Sequence, residues 1–95
     1  MNFGKAIEAL KSGKKVARSE WNIGMFLWLK PATVVKAEWC KDPTLKAIAE
    51  HSGGAIPALG TICMFTGQGE ILSGWSPLQT DMLAEDWVVV ESLKL

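Results

Sequence analysis

Along the first ten positions, the apolar residues Phe3, Ala6, Ile7 and Leu10 recur at intervals of three and four, the spacing of one helical face. The pattern predicts a helix over Phe3–Leu10, with Asn2 as its N-cap and Gly13 as the residue just past its end. After the solvated Lys14 and Lys15, "VARSEW" begins a strand. "MFLWLK", Met25 to Lys30, is continuously apolar, rich in aromatics and closed by Pro31. It is too short for a stable isolated helix and reads as a buried strand. It pairs with the preceding strand around "WNIG", where Asn22 and Gly24 suit turn geometry.

The middle of the chain is less regular. "ATVVKAEW" fits either a short strand or a loop, whereas "DPTLKAIAEHSGG" carries a full set of helix signals. Asp42 caps it, Pro43 takes the first helical position, Leu45, Ile48 and Ala49 make its inner face, and Gly53 stops it. His51 falls in the last turn, where a cation complements the helix dipole. Residues of about 31–59 thus read as an insertion between sheet strands, with Gly53–Gly54 a flexible exit. "GTICMFTGQGEILSGW" reads as a hairpin: Thr61 to Thr66, a "GQG" turn, and Glu70 to Leu72 returning. In "GWSPLQTDMLAEDW", Ser76 as N-cap, Pro77 as first residue and Gln79 as third make a capping box. The short helix that follows should turn Leu78, Met82 and Leu83 inward. "WVVVES" is a closing β-branched strand. The expected fold is α+β: one domain with a small antiparallel sheet, an N-terminal helix, an inserted helix and a short C-terminal helix.

Composition narrows the function. Ten basic residues balance ten acidic ones in 95, which leaves no electrostatic drive toward nucleic acid or anionic membranes. No apolar run approaches the roughly 20 residues that span a bilayer, and "MNFGKAIEALKSGKK" lacks the core of a signal peptide. A cytoplasmic protein is expected. Cys40 and Cys63 stand 23 positions apart beside a single histidine, too few ligands for zinc. Neither a metal nor a cofactor is expected. Five tryptophans, three phenylalanines and four methionines are a large apolar load for a chain this short. A domain of this size often gains stability by oligomerising, so some of these side chains should lie at a subunit interface or in a ligand pocket.

Three segments in order carry a family likeness: "MNFGKAIEALKSGKKVAR" followed by Trp21, then "ICMFTGQGEI", then "GWSPLQTDMLAEDWVVV". Together they resemble the second Thoeris anti-defence family, over about residues 1–30 and 60–91, with 31–59 outside the likeness. The resemblance implies a phage-encoded sponge acting in the bacterial host cytoplasm. Such proteins bind cyclic nucleotide immune signals, chiefly cyclic ADP-ribose variants including glycocyclic ADP-ribose, and hold them uncleaved as homotetramers. Some relatives also take up cyclic dinucleotides. The alternative is a small structural or protein-interaction module of phage origin without a nucleotide ligand.

Under the sponge reading six residues become candidates for ligand contact. Trp21, in a loop between two apolar strands, offers a face for a purine; its alternative is core. Trp75, just before a helix start, either packs under that helix or flanks a pocket. Trp87 is expected in the core, Trp28 in core or interface, and Trp39, in the insertion, is a lesser candidate. Gln79 is equally explained by capping. Asp81, on the polar face of its helix, can accept from ribose hydroxyls, or is simply solvated. Arg18, the cation nearest Trp21, can grip a pyrophosphate in bidentate fashion, and the amides after Ser76 offer an anion site. Asp81, Glu85 and Asp86 form the one acidic cluster, in which Asp81 and Glu85 share a helix face without a third ligand or a histidine, so no catalytic residue is assigned and no enzyme is expected.

Overall fold

The computed structural model describes residues 1–91. The chain divides into two compact units, one made of Met1–Lys30 and the chain from Thr61 onward, the other of Pro31–Gly60. In the first unit, helix α1 (Phe3–Lys11) starts where the Asn2 side chain accepts the Lys5 N–H at 2.9 Å. It ends at Ser12, with Gly13 in the left-handed region at φ +91°. Its apolar stripe buries Ala6 and Leu10 against the sheet.

That sheet holds β1 (Lys15–Arg18), β2 (Phe26–Lys30), β5 (Thr61–Phe65), β6 (Ile71–Ser73) and β7 (Trp87–Val90). Their spatial order is β6-β5-β2-β1-β7, and every neighbouring pair is antiparallel. Period-two alternation sorts the side chains. Val16 pairs with Leu27 and Val89, and Leu27 pairs with Met64, so these point at α1. Val16, Leu27, Met64 and Trp87 join Ala6 and Leu10 as the buried core. The intervening residues face the other way, and there Phe26 packs on Trp28 at 5.9 Å and on Phe65 at 5.5 Å between ring centroids. "VARSEW" leaves its strand at Arg18, earlier than its β-rich opening suggests, because the chain turns at once: Trp21 N–H donates to the Arg18 carbonyl at 3.1 Å.

Helix α3 (Gln79–Leu83) corrects the expected capping box. It begins after Leu78, not after Ser76, and Leu78 has no polar side chain to offer. Asp81 takes over instead, its Oδ2 accepting the Leu78 N–H at 2.9 Å. The facing is corrected too. Asp81 and Ala84 turn inward, and Leu78, Met82 and Leu83 are 70%, 45% and 80% exposed. An inward 81/84 pair turns 82 and 83 away from the core at 3.6 residues per turn, and Leu78, the extended N-cap outside the helix, does not follow its helical phase.

The second unit contains β3 (Thr33–Lys36), a 3₁₀ turn over Ala37–Trp39, α2 (Pro43–His51) and β4 (Ala55–Ala58). Here "ATVVKAEW" resolves into a strand and then the 3₁₀ turn. The Asp42 carboxylate accepts the Thr44 N–H at 3.1 Å and Pro43 stands at the first position of α2, as its sequence signals require. Ala49 is fully buried, but Ile48, expected inside, is 45% exposed. Strand β4, antiparallel to β3, replaces the expected flexible exit after Gly54. Its Pro57 is tolerated because a two-stranded ribbon consists only of edges. The whole chain is α+β, with the N-terminal, inserted and short C-terminal helices placed where the sequence puts them.

Candidate functional site

The first unit gathers three of its four tryptophans at the end of β1, Trp28 lying on the other face of the sheet. Trp87 starts β7 fully buried, at 1% exposure, and its indole N–H donates to the Asp81 carbonyl at 2.9 Å. Trp21 meets it edge-on at 5.4 Å and 76°. Gly74, at φ +90°, swings the chain off β6, so that Trp75 N–H bonds the Ile62 carbonyl at 2.7 Å. The Trp75 ring then lies edge-on to Trp21 at 6.1 Å and to Trp87 at 6.2 Å. These are the offset arrangements that aromatic quadrupoles favour. Phe3 of α1 closes the group at 5.6 Å from Trp87. Trp21 is therefore half-buried against the core, not a loop residue free of it as its position between strands suggests.

Beside the tryptophans, Arg18 is surrounded by acid. Its Nε donates to Asp86 at 2.7 Å, one terminal nitrogen reaches Asp81 at 3.0 Å, and the other pairs with Glu20 at 2.9 Å. Asp86 also accepts the Ser19 hydroxyl at 3.0 Å. Hydrogen bonding from Arg18, opposed by desolvation and helped by Ser19, holds the Asp86 carboxyl below its ordinary range. The bond to Asp86 in turn raises Arg18 above the usual guanidinium value. One cation against three carboxylates leaves two negative charges in excess. Two expectations are corrected here. Asp81 is neither a solvated residue nor an open acceptor for ribose hydroxyls: it is 9% exposed, paired to Arg18 and bonded to the Leu78 N–H. The N-terminus of α3 is likewise no vacant anion site, because the Asp81 carboxylate already occupies it.

On the sheet face opposite α1, a cleft of ≈ 360 Å³ opens between the β1–β2 loop and β7. Arg18, Trp21, Asn22 and Phe26 line one side, and Val88 and Glu91 the other. Its volume falls at the lower end of the range of about 300–1,000 Å³ that small-molecule sites occupy. Of the six sequence candidates, Arg18 and Trp21 share its wall, Trp75 packs on Trp21, and Asp81 anchors Arg18. Gln79 is exposed at the first position of α3, and among the described residues its side chain has no hydrogen-bond partner. Trp39 belongs to the second unit, 62% exposed with the Lys36 ammonium 5.0 Å over its ring. Sequence reasoning missed Asn22, Phe26, Glu20 and the role of Asp86. A signal for the last was present: Arg18 ends β1 and Asp86 precedes β7, opposite charges at the meeting ends of two strands.

The model of the Thoeris anti-defense 2-like domain matches residues 1–90. The chain belongs to the Thoeris anti-defense 2-like family. It is also 36% identical over 91 residues to "Thoeris anti-defense 2" of Bacillus phage SP01, across 95% of this chain and 94% of that protein. The family match runs through residues 31–59 as well, which the motif likeness alone left outside. Among the described residues, no helix of this family member is long and apolar enough to cross a membrane. No group of three or more histidine, cysteine or acidic side chains is placed to hold a metal ion, again among the described residues.

Proposed function

We propose that this chain counters bacterial defence in the host cytoplasm by binding a cyclic nucleotide immune signal and holding it uncleaved. The ligand class is a cyclic ADP-ribose variant, with cyclic dinucleotides as a second possibility in kind. The observation that supports this reading is the cleft beside Trp21, within an anti-defence family. Trp21 and Asn22 are among its lining residues; an indole can stack on any base, and an amide can both donate to and accept from a base edge or ribose hydroxyl. Its charged groups, Arg18 and Glu91, form no nucleophile–base pair with one another, so the wall is suited to retention. The protein works as a homotetramer. The apolar side chains exposed on α3, Leu78, Met82 and Leu83, support association with further copies, and a dimer of dimers is a common closed solution.

The deciding experiment incubates the protein with cyclic ADP-ribose, removes free ligand, and heats the protein to release what it holds. Intact recovered ligand agrees with capture, and altered ligand means an enzyme. An undepleted solution favours the other reading, an interaction module, for which the same exposed α3 side chains speak. Light scattering at micromolar concentration checks the assembly. A mass of 10.3 kDa, the single chain, would rule the tetramer out.

A further inference from the structure

The register of the sheet sets a row of side chains across the face opposite α1. Ala17 pairs with Val88. Val16 pairs with Leu27 in an antiparallel ladder, so one step along puts Phe26 on the other side of Ala17. Phe26 pairs in turn with Phe65. Val88, Ala17 and Phe26 all line the cleft, with Ala17 at its floor, 6% exposed. The smallest side chain of the row thus stands between two larger ones and leaves a notch. Phe26 is not free to fill it, because the ring is held from its far side by Phe65 at 5.5 Å and Trp28 at 5.9 Å. Val88 is stiff at χ1 through its β-branching.

Charge limits what enters. Among the described residues that line the cleft, Arg18 is the one cation and Glu91 the one anion. Two residues on from Val16, the Arg18 side chain belongs to the α1 face, where Asp81 and Asp86 hold its 12% exposed guanidinium. A phosphate in the cleft would therefore meet a carboxylate and no free cation. We infer that Ala17 is a specificity-determining residue, whose notch admits the flat, uncharged base of a nucleotide and leaves the phosphates outside. The inference rests on the reading of the cleft as a nucleotide site and names the part of the ligand that the site holds. Ribose is hydroxylated and pyrophosphate is anionic; the base is the part that gains by leaving water for a notch walled by Phe26 and Val88. A larger residue at 17 would close the notch without disturbing the packing of α1, since period two points it away from the helix.

The test compares the wild type with Ala17→Leu and Ala17→Ser, by calorimetric titration with adenosine and with cyclic ADP-ribose and by thermal melts. Leucine at 17 projects into the notch, and overfilling it should weaken both probes roughly 5- to 150-fold. Its melt should not fall, because the added side chain occupies open cleft and covers apolar floor. Serine is close to alanine in size and should bind both probes as the wild type does. Unchanged binding by Ala17→Leu overturns the inference. So does a melt lowered by leucine, which would mean that no notch is open at 17. Serine weakening the probes as much as leucine would show that size does not decide, and inorganic pyrophosphate displacing adenosine would show that the cleft holds phosphate; either result overturns the inference too. So does a wild type that binds cyclic ADP-ribose but not adenosine. A wild type that binds adenosine but not cyclic ADP-ribose counts against the capture reading alone, and the adenosine series still decides the role of Ala17. Binding of neither probe overturns both.

Discussion

Trp21→Ala separates packing from recognition, because the ring belongs to both the core edge and the cleft wall. On the packing side, the substitution removes two edge-to-face contacts, to Trp87 and Trp75. Such pairs contribute about 0.5–1.5 kcal/mol each beyond the area they bury. The ring is only half-buried, so the loss should stay below the 3–5 kcal/mol of a fully buried Trp→Ala. A loss of about 2–3 kcal/mol is expected. For a domain of this size each kcal/mol lowers Tm by about 4–8 °C, so the melt should fall by roughly 8–24 °C. A chain of 95 residues has a total stability on the order of 5–14 kcal/mol, so the variant remains folded at 25 °C. Any loss of ligand there is then a loss of recognition. If a base stacks on Trp21, its removal costs about 1–3 kcal/mol of binding, a 5- to 150-fold weakening. Calorimetric titration with the cyclic nucleotide at 25 °C, paired with thermal melts, reads the two effects apart. Unchanged affinity with a lowered melt would show that the ligand does not use this wall. An unmoved melt would refute the packing of the three tryptophans.

Trp87→Ala should go further, since it removes a fully buried ring and the shorter of the two hydrogen bonds to the Asp81 carbonyl, leaving only the Ala84 N–H at 3.4 Å. At about 3–5 kcal/mol for the ring and about 0.5–1.5 for the lost hydrogen bond, the loss exceeds that of Trp21→Ala, and urea titration should find the midpoint far below that of the wild type; a midpoint close to it would contradict the core placement of the ring. Asp86→Asn tests the ion cluster through pH. Because Arg18 holds the folded Asp86 carboxyl below its ordinary value of 3.8, its contribution is complete above that value and fades as pH falls through the lower folded one. The stability gap between wild type and variant, followed by denaturant titration, should therefore be full near neutral pH and shrink below about pH 4; a gap independent of pH would contradict the pairing. Gly67→Ala should cost about 1–2 kcal/mol for its φ of +83° alone. It should cost more than Gly69→Ala, because a Cβ at 67 meets Met25 Cγ at 3.1 Å while one at 69 meets nothing; equal denaturation midpoints would argue against that close approach.

The elements written most plainly in the sequence are those whose local signals and tertiary demands agree. Helix α1 has its Asn2 cap, its 3-4 stripe and Gly13, and helix α2 has Asp42 and Pro43; neither needs information from elsewhere in the chain. The apolar run of β2 and the glycine-marked β5–β6 turn are legible for the same reason. Strand β4 was not, because Pro57 argues against a ladder unless the strand lies at an edge, and edge position is a property of the assembled sheet. Trp21 misleads in a related way: a turn that hydrogen-bonds Trp21 N–H to the Arg18 carbonyl folds a loop side chain back onto the core.

Helix α3 shows what happens when the two levels disagree. Ser76 and Pro77 are a strong local start signal, yet the helix begins at Gln79 because Asp81 is held from outside it. Arg18 pulls on the carboxylate and the Trp87 indole bonds the carbonyl, so residue 81 is fixed inward and its own side chain becomes the cap. The first constraint is invisible in any window around α3, since Arg18 lies 63 positions away, and the second, though Trp87 stands close by in sequence, depends on how the assembled core turns its indole back on residue 81. The consequence for recognition is direct. The two features that suggest anion binding from sequence, an arginine beside a tryptophan and a helix N-terminus, are both already engaged by the protein's own carboxylates. Of the residues that line the cleft, Trp21 and Asn22 are two that no ion pair engages and whose side chains could serve a nucleotide under the proposed function.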